Sequence, residues 1–101
     1  MAFVQTIEVQ AADETSLRDH LASWHAEQGG LAPGYRGGRI LADEDKPGRF
    51  VIEVDFSSPE EAGRNNDRAE TGAWARKLRE LASGEPRYAN YRLVWASATG
   101  K

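Results

Sequence analysis

The fold is decided by residues 50–62, which read FVIEVDFSSPEEA. Over residues 50–56, apolar side chains alternate with a mixed set, and this two-residue period is typical of a β-strand. Directly afterwards, Ser58 suits a helix N-cap and Pro59 the first helical position, and the Glu61 side chain can return a hydrogen bond to the Ser58 amide. The stretch therefore predicts a strand that passes almost directly into a helix.

Two more strands and a longer helix are predicted before this stretch. Residues 3–10 alternate in the same way and favour a strand. Asp13 suits the cap of a helix that ends at residues 29–30, both of which are glycine. The apolar face of that helix carries Leu17, Leu21, Trp24 and Gln28. A strand is predicted over residues 35–43, and the acidic turn at 43–48 joins it in a hairpin to the strand described above.

The remainder of the chain predicts two helices and a last strand. The short helix runs to about Asn66, and a second one begins at Thr71 before a strand over residues 88–96. The apolar stripe of the second helix consists of Trp74, Leu78 and Leu81. Its opposite side is expected to carry Arg76, Arg79 and Glu80. We expect residues 1–97 to form a single domain and residues 98–101 to form a frayed C-terminal tail.

The order β-α-β-β-α-α-β predicts an α+β protein with a ferredoxin-like fold. In this fold a four-stranded antiparallel sheet carries its helices on one face. The other face, which we call the open sheet face, mixes apolar with charged residues, so it suits neither water nor a core. Its expected residues are Val4, Thr6, Val51 and Val94 among Glu8, Glu53, Asp55 and Arg92. We therefore expect a homodimer through this face, with acidic and basic side chains paired across a two-fold axis.

Composition excludes several classes of protein. The chain has 101 residues, 13 Lys and Arg against 16 Asp and Glu, a formal charge of −3 and no Cys. The lack of Cys excludes disulfides, thiolate catalysis, iron-sulfur clusters and Cys-containing zinc sites. Basic residues are scattered and no apolar run approaches about 20 residues, so we expect neither a nucleic-acid partner nor a membrane span. The N-terminus lacks the pattern of a secretory signal, which favours a cytoplasmic location.

An RNA-recognition motif is an alternative that shares this fold. Residues 48–56 loosely resemble the third-strand signature of that family. Such motifs stack RNA bases on exposed aromatic side chains of the open sheet face. Here that face would carry Val51, Glu53 and Asp55, and the carboxylates would repel phosphates. We therefore expect no RNA binding.

Several motifs resemble one family over nearly the whole chain. They are residues 33–39 (PGYRGGR), residues 50–62, Asn65-Asn66, Glu70-Thr71, Trp74-Ala75 and residues 84–86 (GEP). Together they resemble the antibiotic biosynthesis monooxygenases, small proteins that form dimeric α+β barrels. This resemblance implies a homodimer with a pocket between each sheet and its helices. The family contains cofactor-independent oxygenases of aromatic polyketides, quinol oxygenases and haem-degrading enzymes.

We expect no cofactor and no metal. The haem-degrading members use an Asn on the first strand and a Trp and a His in the helical segment. In this chain the matching places hold Ile7, Asn66 and Arg76, so the resemblance does not extend to haem. His20 and His25 lie five residues apart on one helix, whereas two histidines that share a metal there need a spacing of three or four.

The candidate site lies on the helical side of the sheet. Asn65 and Asn66 lie on the sheet-facing side of the short helix, so at least one amide is expected to point inward as a catalytic group. Alternatively, the two residues end the helix by bonding to their own backbone. His20 is the third candidate catalytic residue. The candidate substrate-binding residues are Trp24, Trp74, Tyr88 and Arg92.

Two functions remain open at this point. The first is a cofactor-independent monooxygenase that acts on an aromatic or quinone-like small molecule. There the deprotonated substrate itself reduces dioxygen, while the pocket stabilises the developing oxyanion. The second is a non-catalytic small-molecule-binding or scaffold dimer of the same fold. An open cavity around the candidate residues would favour a ligand, and a space filled by side chains would not.

Overall fold

The computed structural model describes residues 2–97, so the tail expected over 98–101 lies outside the described residues. Four strands and three helices follow one another in the predicted order. They are β1 Phe3–Gln10, α1 Glu14–Gln28, β2 Tyr35–Ala42, β3 Arg49–Phe56, α2 Pro59–Asn66, α3 Ala69–Leu81 and β4 Arg87–Arg92. None of the helices within residues 2–97 is long and apolar enough to cross a membrane.

The four strands form one antiparallel sheet in the order β2-β3-β1-β4. The two central strands, β1 and β3, pair over their whole lengths, and Ile7 lies opposite Ile52. On the other side of β1, Ile7 lies opposite Tyr88 of β4. Because residues directly opposite one another share a sheet face, this register aligns the apolar positions of the neighbouring strands. The predicted ferredoxin-like α+β fold is confirmed.

The core lies between the sheet and the helices. Alternate residues of β1 and β3 supply one side, and α1, α2 and α3 supply the other. The buried residues of this cluster are Ile7, Val9, Ala11, Leu17, Leu21, Phe50, Ile52, Val54, Phe56, Ala62 and Leu78. All the helices therefore cover the same face of the sheet, as the predicted fold requires.

Two side chains cap helices as the sequence predicts. Asp13 Oδ1 accepts hydrogen bonds from the backbone N–H of Thr15 at 3.0 Å and of Ser16 at 3.3 Å. The hydrogen bond from the Ser16 hydroxyl has the largest effect in lowering the pKa of Asp13, and the two backbone bonds lower it further. At α2, Ser58 Oγ accepts from the N–H of Glu61 at 3.2 Å. Each cap satisfies backbone donors that have no partner inside the helix.

Two predicted boundaries are wrong. Helix α3 begins at Ala69 and not at Thr71, because the first helical hydrogen bond already runs from Gly72 N to Arg68 O at 3.0 Å. Strand β4 ends at Arg92 and not at residue 96. Its partner β1 begins at Phe3, and beyond the bond from Leu93 N to Ala2 O at 3.1 Å no residue in the described range 2–97 pairs with the segment that follows.

The open sheet face combines paired charges with exposed apolar side chains. Glu53 accepts from Arg39 Nε at 2.7 Å, and Glu8 lies 3.1 Å from Arg49 Nη2. The exposed apolar residues along this face and the segment after β4 are Leu41, Tyr91, Leu93, Val94 and Trp95. Glu8 and Glu53 therefore each have a basic partner within the chain itself.

Candidate functional site

A cavity of about 430 Å³ lies between the sheet and the helices and opens to solvent. Side chains from β1, β3 and β4 form its sheet side, and residues of all three helices form the other side. Its lining consists of Gln5, Ile7, Leu21, Trp24, Val54, Phe56, Asn65, Asn66, Thr71, Gly72, Trp74, Ala75, Arg79 and Tyr88. The surface is mostly apolar with a few polar groups, which is the usual character of a small-molecule site.

Small and polar residues explain why this end of the core is hollow. Gly72 and Ala75 line the cavity from α3 and leave volume that larger side chains would fill. On the sheet side, Gln5 occupies a position of the helix-facing alternation that is otherwise apolar, and its Nε2 donates to Asn90 Oδ1 at 3.3 Å. The lining therefore combines free volume with polar atoms that a ligand can meet.

Asn65 is the buried amide of the site. It is 3% exposed and lines the cavity, and its Oδ1 accepts a hydrogen bond from Thr71 Oγ1 at 3.0 Å. This bond ties the end of α2 to the first turn of α3 and orients the amide. Within residues 2–97 the Nδ2 group donates no hydrogen bond, so it is available to a ligand oxygen. Asn66 also lines the cavity, but it is exposed.

Trp24 and Trp74 form an aromatic wall of the cavity. Trp24 is 8% exposed, and among the described residues its Nε1 is buried without a hydrogen-bond partner. A buried indole N–H usually has a partner, so this donor is under-satisfied. Trp74 Nε1 donates to the carbonyl oxygen of His20 at 3.3 Å. The same two indoles also line a second hollow of about 310 Å³, which they separate from the main cavity.

His20 supports the aromatic wall from behind. Its ring stacks on the Trp74 indole with centroids 4.9 Å apart and an interplanar angle of 7°. Its Nε2 lies 2.9 Å from the Trp74 carbonyl oxygen and must donate there, because a carbonyl only accepts. Burial lowers the pKa of His20 more than this bond raises it. His20 lines the second hollow and not the main cavity.

Tyr88 and Arg79 lie at the exposed side of the cavity. Tyr88 is half exposed, and burial raises the pKa of its phenol, while the Arg79 charge acts in the opposite direction. Arg92, the last of the candidate residues, lies opposite the helix-facing Phe3, so its expected place among the residues of the open sheet face is wrong. At this edge of the sheet it borders the hollow of the open sheet face and does not line the cavity. The structure thus brings together Asn65, Asn66, Trp24, Trp74 and Tyr88, and it places His20 and Arg92 outside this cavity.

The arrangement can bind a flat apolar molecule and donate hydrogen bonds to its oxygen atoms. Among the described residues, no group of three or more His, Asp and Glu could hold a metal ion. The donors of the site are the Asn65 amide, the Tyr88 hydroxyl and the Arg79 guanidinium. Donors in such a low-dielectric cavity stabilise negative charge that develops on a bound molecule.

Comparison with solved structures shows which proteins share this fold. No protein-family model matches the sequence, and no curated protein matches it. The structure is similar to a mutant of SnoaB, a cofactor-independent oxygenase from Streptomyces nogalater, with a TM-score of 0.81 at 13% identity. That match covers 97% of this chain and 98% of the other.

Two further structures are described as candidate antibiotic biosynthesis monooxygenases. The one from Nitrosomonas europaea has a TM-score of 0.73 at 18% identity, and the match covers 96% of this chain and 94% of that chain. The one from Deinococcus radiodurans has a TM-score of 0.74 at 15% identity over 100% of both chains. The chain has the fold of the antibiotic biosynthesis monooxygenases. At these identities the likeness shows the fold alone.

Three polar residues of the cavity lining, Gln5, Thr71 and Arg79, were absent from the candidate site residues. Gln5 carried a signal, because it is a polar residue at a helix-facing position of β1. Arg79 also carried one, since Gly72, Ala75 and Arg79 follow helical spacing and share one side of α3. Its long side chain reaches the cavity although the apolar stripe predicts it on the opposite side of the helix. The bond of Thr71 to Asn65 had no local signal.

Proposed function

We propose that the chain is a cofactor-independent oxygenase of an aromatic or quinone-like small molecule that binds in the cavity. The observation that carries the proposal is the Asn65 amide, which is buried beside an apolar cavity and has an unused donor. The Nδ2 group is not sealed off from the cavity, so water can satisfy it in the free protein. A ligand oxygen would take the place of that water and accept the hydrogen bond in an apolar surrounding.

The proposed oxidation requires the protein only to bind the substrate and to stabilise its anion. An anthrone or hydroquinone that loses a proton becomes an electron-rich anion, which can reduce dioxygen directly. The Asn65 Nδ2 group would donate to the anionic oxygen, and Trp24 and Trp74 would hold the rings. For an anthrone, one oxygen atom becomes the new carbonyl, while the other leaves as water with the two hydrogens of the oxidised methylene carbon.

We also propose that residues 1–97 act as a single domain and that two copies associate through the open sheet face. Five exposed apolar residues lie along this face and the segment after β4. Because Glu8 and Glu53 already pair with Arg49 and Arg39, two copies of the face can meet with less repulsion between carboxylates. A two-fold dimer uses the same patch twice, as this proposal requires.

Oxygen consumption tests the proposed function. The parent protein is mixed with anthrone, 1,8-dihydroxyanthrone and a set of hydroquinones in an oxygen electrode, with the protein-free rate subtracted. The proposal expects uptake above this rate and, with ¹⁸O₂, one labelled oxygen in the anthraquinone product. Asn65→Ala should lower turnover about 100-fold, as for loss of one oxyanion donor. Asn66→Ala should lower it less, because Asn66 is exposed.

The same experiment separates the alternative. Ligand binding without oxygen uptake above the protein-free rate would contradict the oxygenase proposal and favour a non-catalytic binding protein. Equal losses in the Asn65 and Asn66 variants would contradict the role given to the buried amide.

A further inference from the structure

Arg79 is the one charged residue among the described residues that line the main cavity. Its Nε lies 3.7 Å from Glu85 Oε1, and the two side chains are 58% and 82% exposed. An ion pair so exposed contributes little and is screened by water and salt. The guanidinium therefore keeps donors that another anion can use.

Tyr88 places a second donor on the same side of the cavity. It lies on β4 opposite Ile7, and both side chains line the cavity. Burial raises the pKa of the phenol, so its hydroxyl stays protonated at neutral pH and can donate. Arg79 and Tyr88 line the same cavity, and the pKa of the phenol is lowered by the Arg79 charge and raised by that of Glu85.

The rest of the lining contains no competing negative charge. Its remaining described residues are apolar, small or neutral polar, so a bound anion meets no carboxylate in the cavity. A carboxylate is the anion that matches this pair of donors best, because the planar guanidinium fork binds its two oxygens in parallel. With aromatic walls on one side and a cation on the other, the cavity fits a molecule that combines an aromatic ring system with a carboxylate.

We infer that the cavity selects an aromatic ligand that carries a carboxylate, with Arg79 and Tyr88 binding the carboxylate and the apolar lining holding the rings. This inference rests on the proposed binding of an aromatic molecule in the cavity. In this arrangement Arg79 determines specificity, whereas Asn65 contacts the oxygen that takes part in the reaction. Glu85 competes with the ligand for the Arg79 guanidinium.

Calorimetric titration with two matched probes tests the inference. Anthraquinone-2-carboxylate and 2-(hydroxymethyl)anthraquinone have the same rings and differ in the charged group. We expect the parent protein to bind the carboxylate about tenfold more tightly at low salt, as for a charge-assisted hydrogen bond in a partly desolvated site. Arg79→Gln should remove this preference and leave the affinity for the neutral probe within about twofold.

Two further variants make the test specific. Arg76→Gln removes the same charge from the same helix at an exposed position outside the cavity lining, so it should keep the preference. Glu85→Gln removes the competing carboxylate and should strengthen binding of the charged probe alone. Equal affinity of the parent for both probes, or a preference that survives Arg79→Gln, would overturn the inference and leave the proposed function standing. Binding of neither probe would overturn both.

Discussion

The two faces of the sheet differ in how they carry polar groups, although alternate residues of the same strands form both. Toward the helices, β1 and β3 present Gln5, Ile7 and Val54, none of which is charged. On the open sheet face the same strands present Glu8 and Glu53. A shift of one residue in the register would exchange the two sets completely.

This difference shows how one sheet can pack against helices on one face and carry charged residues on the other. A charge in the helix-covered layer would lose its hydration, so that layer uses neutral amides and indoles for its polar atoms. On the open sheet face the charges are paired instead, as Arg39 with Glu53 and Arg49 with Glu8. The cavity therefore owes its neutral sheet side to the alternation of β1 and β3.

The largest expected effect comes from truncating a side chain on the helix-covered face. Ile52 is 0% exposed, so Ile52→Ala should lower the free energy of unfolding by about 2 to 5 kcal/mol. The adjacent Val51 lies on the open sheet face and is partly exposed, so Val51→Ala should cost about 1 kcal/mol or less. Urea unfolding at one protein concentration measures both. Equal losses would contradict the assignment of the two faces.

The alternation of residues 3–10 and 50–56 predicts which side chains face the helices, because a two-residue period is a local property of a strand. Caps at Asp13 and Ser58 are local too, and they were predicted correctly. The end of β4 could not be predicted in this way. It depends on where β1 begins, which is about 90 residues away in the chain.

The candidate site was predictable only in part. Helical periodicity indicates that Trp24 and Trp74 face inward, and an inward-facing amide at Asn65 or Asn66 follows from the same reasoning. Local sequence does not show which of the two amides has the site role, because the hydrogen bond that orients Asn65 comes from Thr71 of the next helix. Local sequence does not predict the cavity volume either, because the cavity is lined from opposite sides by residues far apart in the chain, such as Gln5 of β1 and Gly72 of α3.

An acidic residue introduced on the open sheet face should separate the proposed dimer. Val51→Asp and Val94→Asp would each bury an unpaired charge, which costs about 3 kcal/mol or more of association free energy. Sedimentation at micromolar concentration should show a dimer for the parent and a monomer for each variant. A monomeric parent would rule out the interface, and a dimer that survives both changes would place it elsewhere.

Removal of the buried amide should affect the ligand far more than the fold. Asn65→Ala loses the hydrogen bond from Thr71, so the free energy of unfolding should fall by about 1 kcal/mol. Binding of an anthraquinone should weaken about tenfold or more, because the variant lacks the donor to the ligand oxygen. Thermal unfolding and calorimetry measure the two effects. A large loss of stability with unchanged binding would show that the amide is structural.

The smallest expected effect is a pH dependence at His20. Burial lowers the pKa of His20 in the folded protein, whereas the unfolded chain has a value near 6.5. Below about pH 6.5 the unfolded state therefore binds more protons, and stability falls as the pH drops toward the folded-state pKa. His20→Gln should make the melting temperature less dependent on pH between about 7.5 and 5.5. An unchanged dependence would contradict this role.

A crystal structure with anthraquinone-2-carboxylate bound tests the site most directly. The rings should occupy the cavity against Trp24 and Trp74, with a ligand carbonyl oxygen within about 3.2 Å of Asn65 Nδ2. The carboxylate should contact Arg79 and Tyr88. Anthraquinone bound on the open sheet face, or bound in the cavity with no oxygen near Asn65, would contradict the central claim that this amide is the donor of the site.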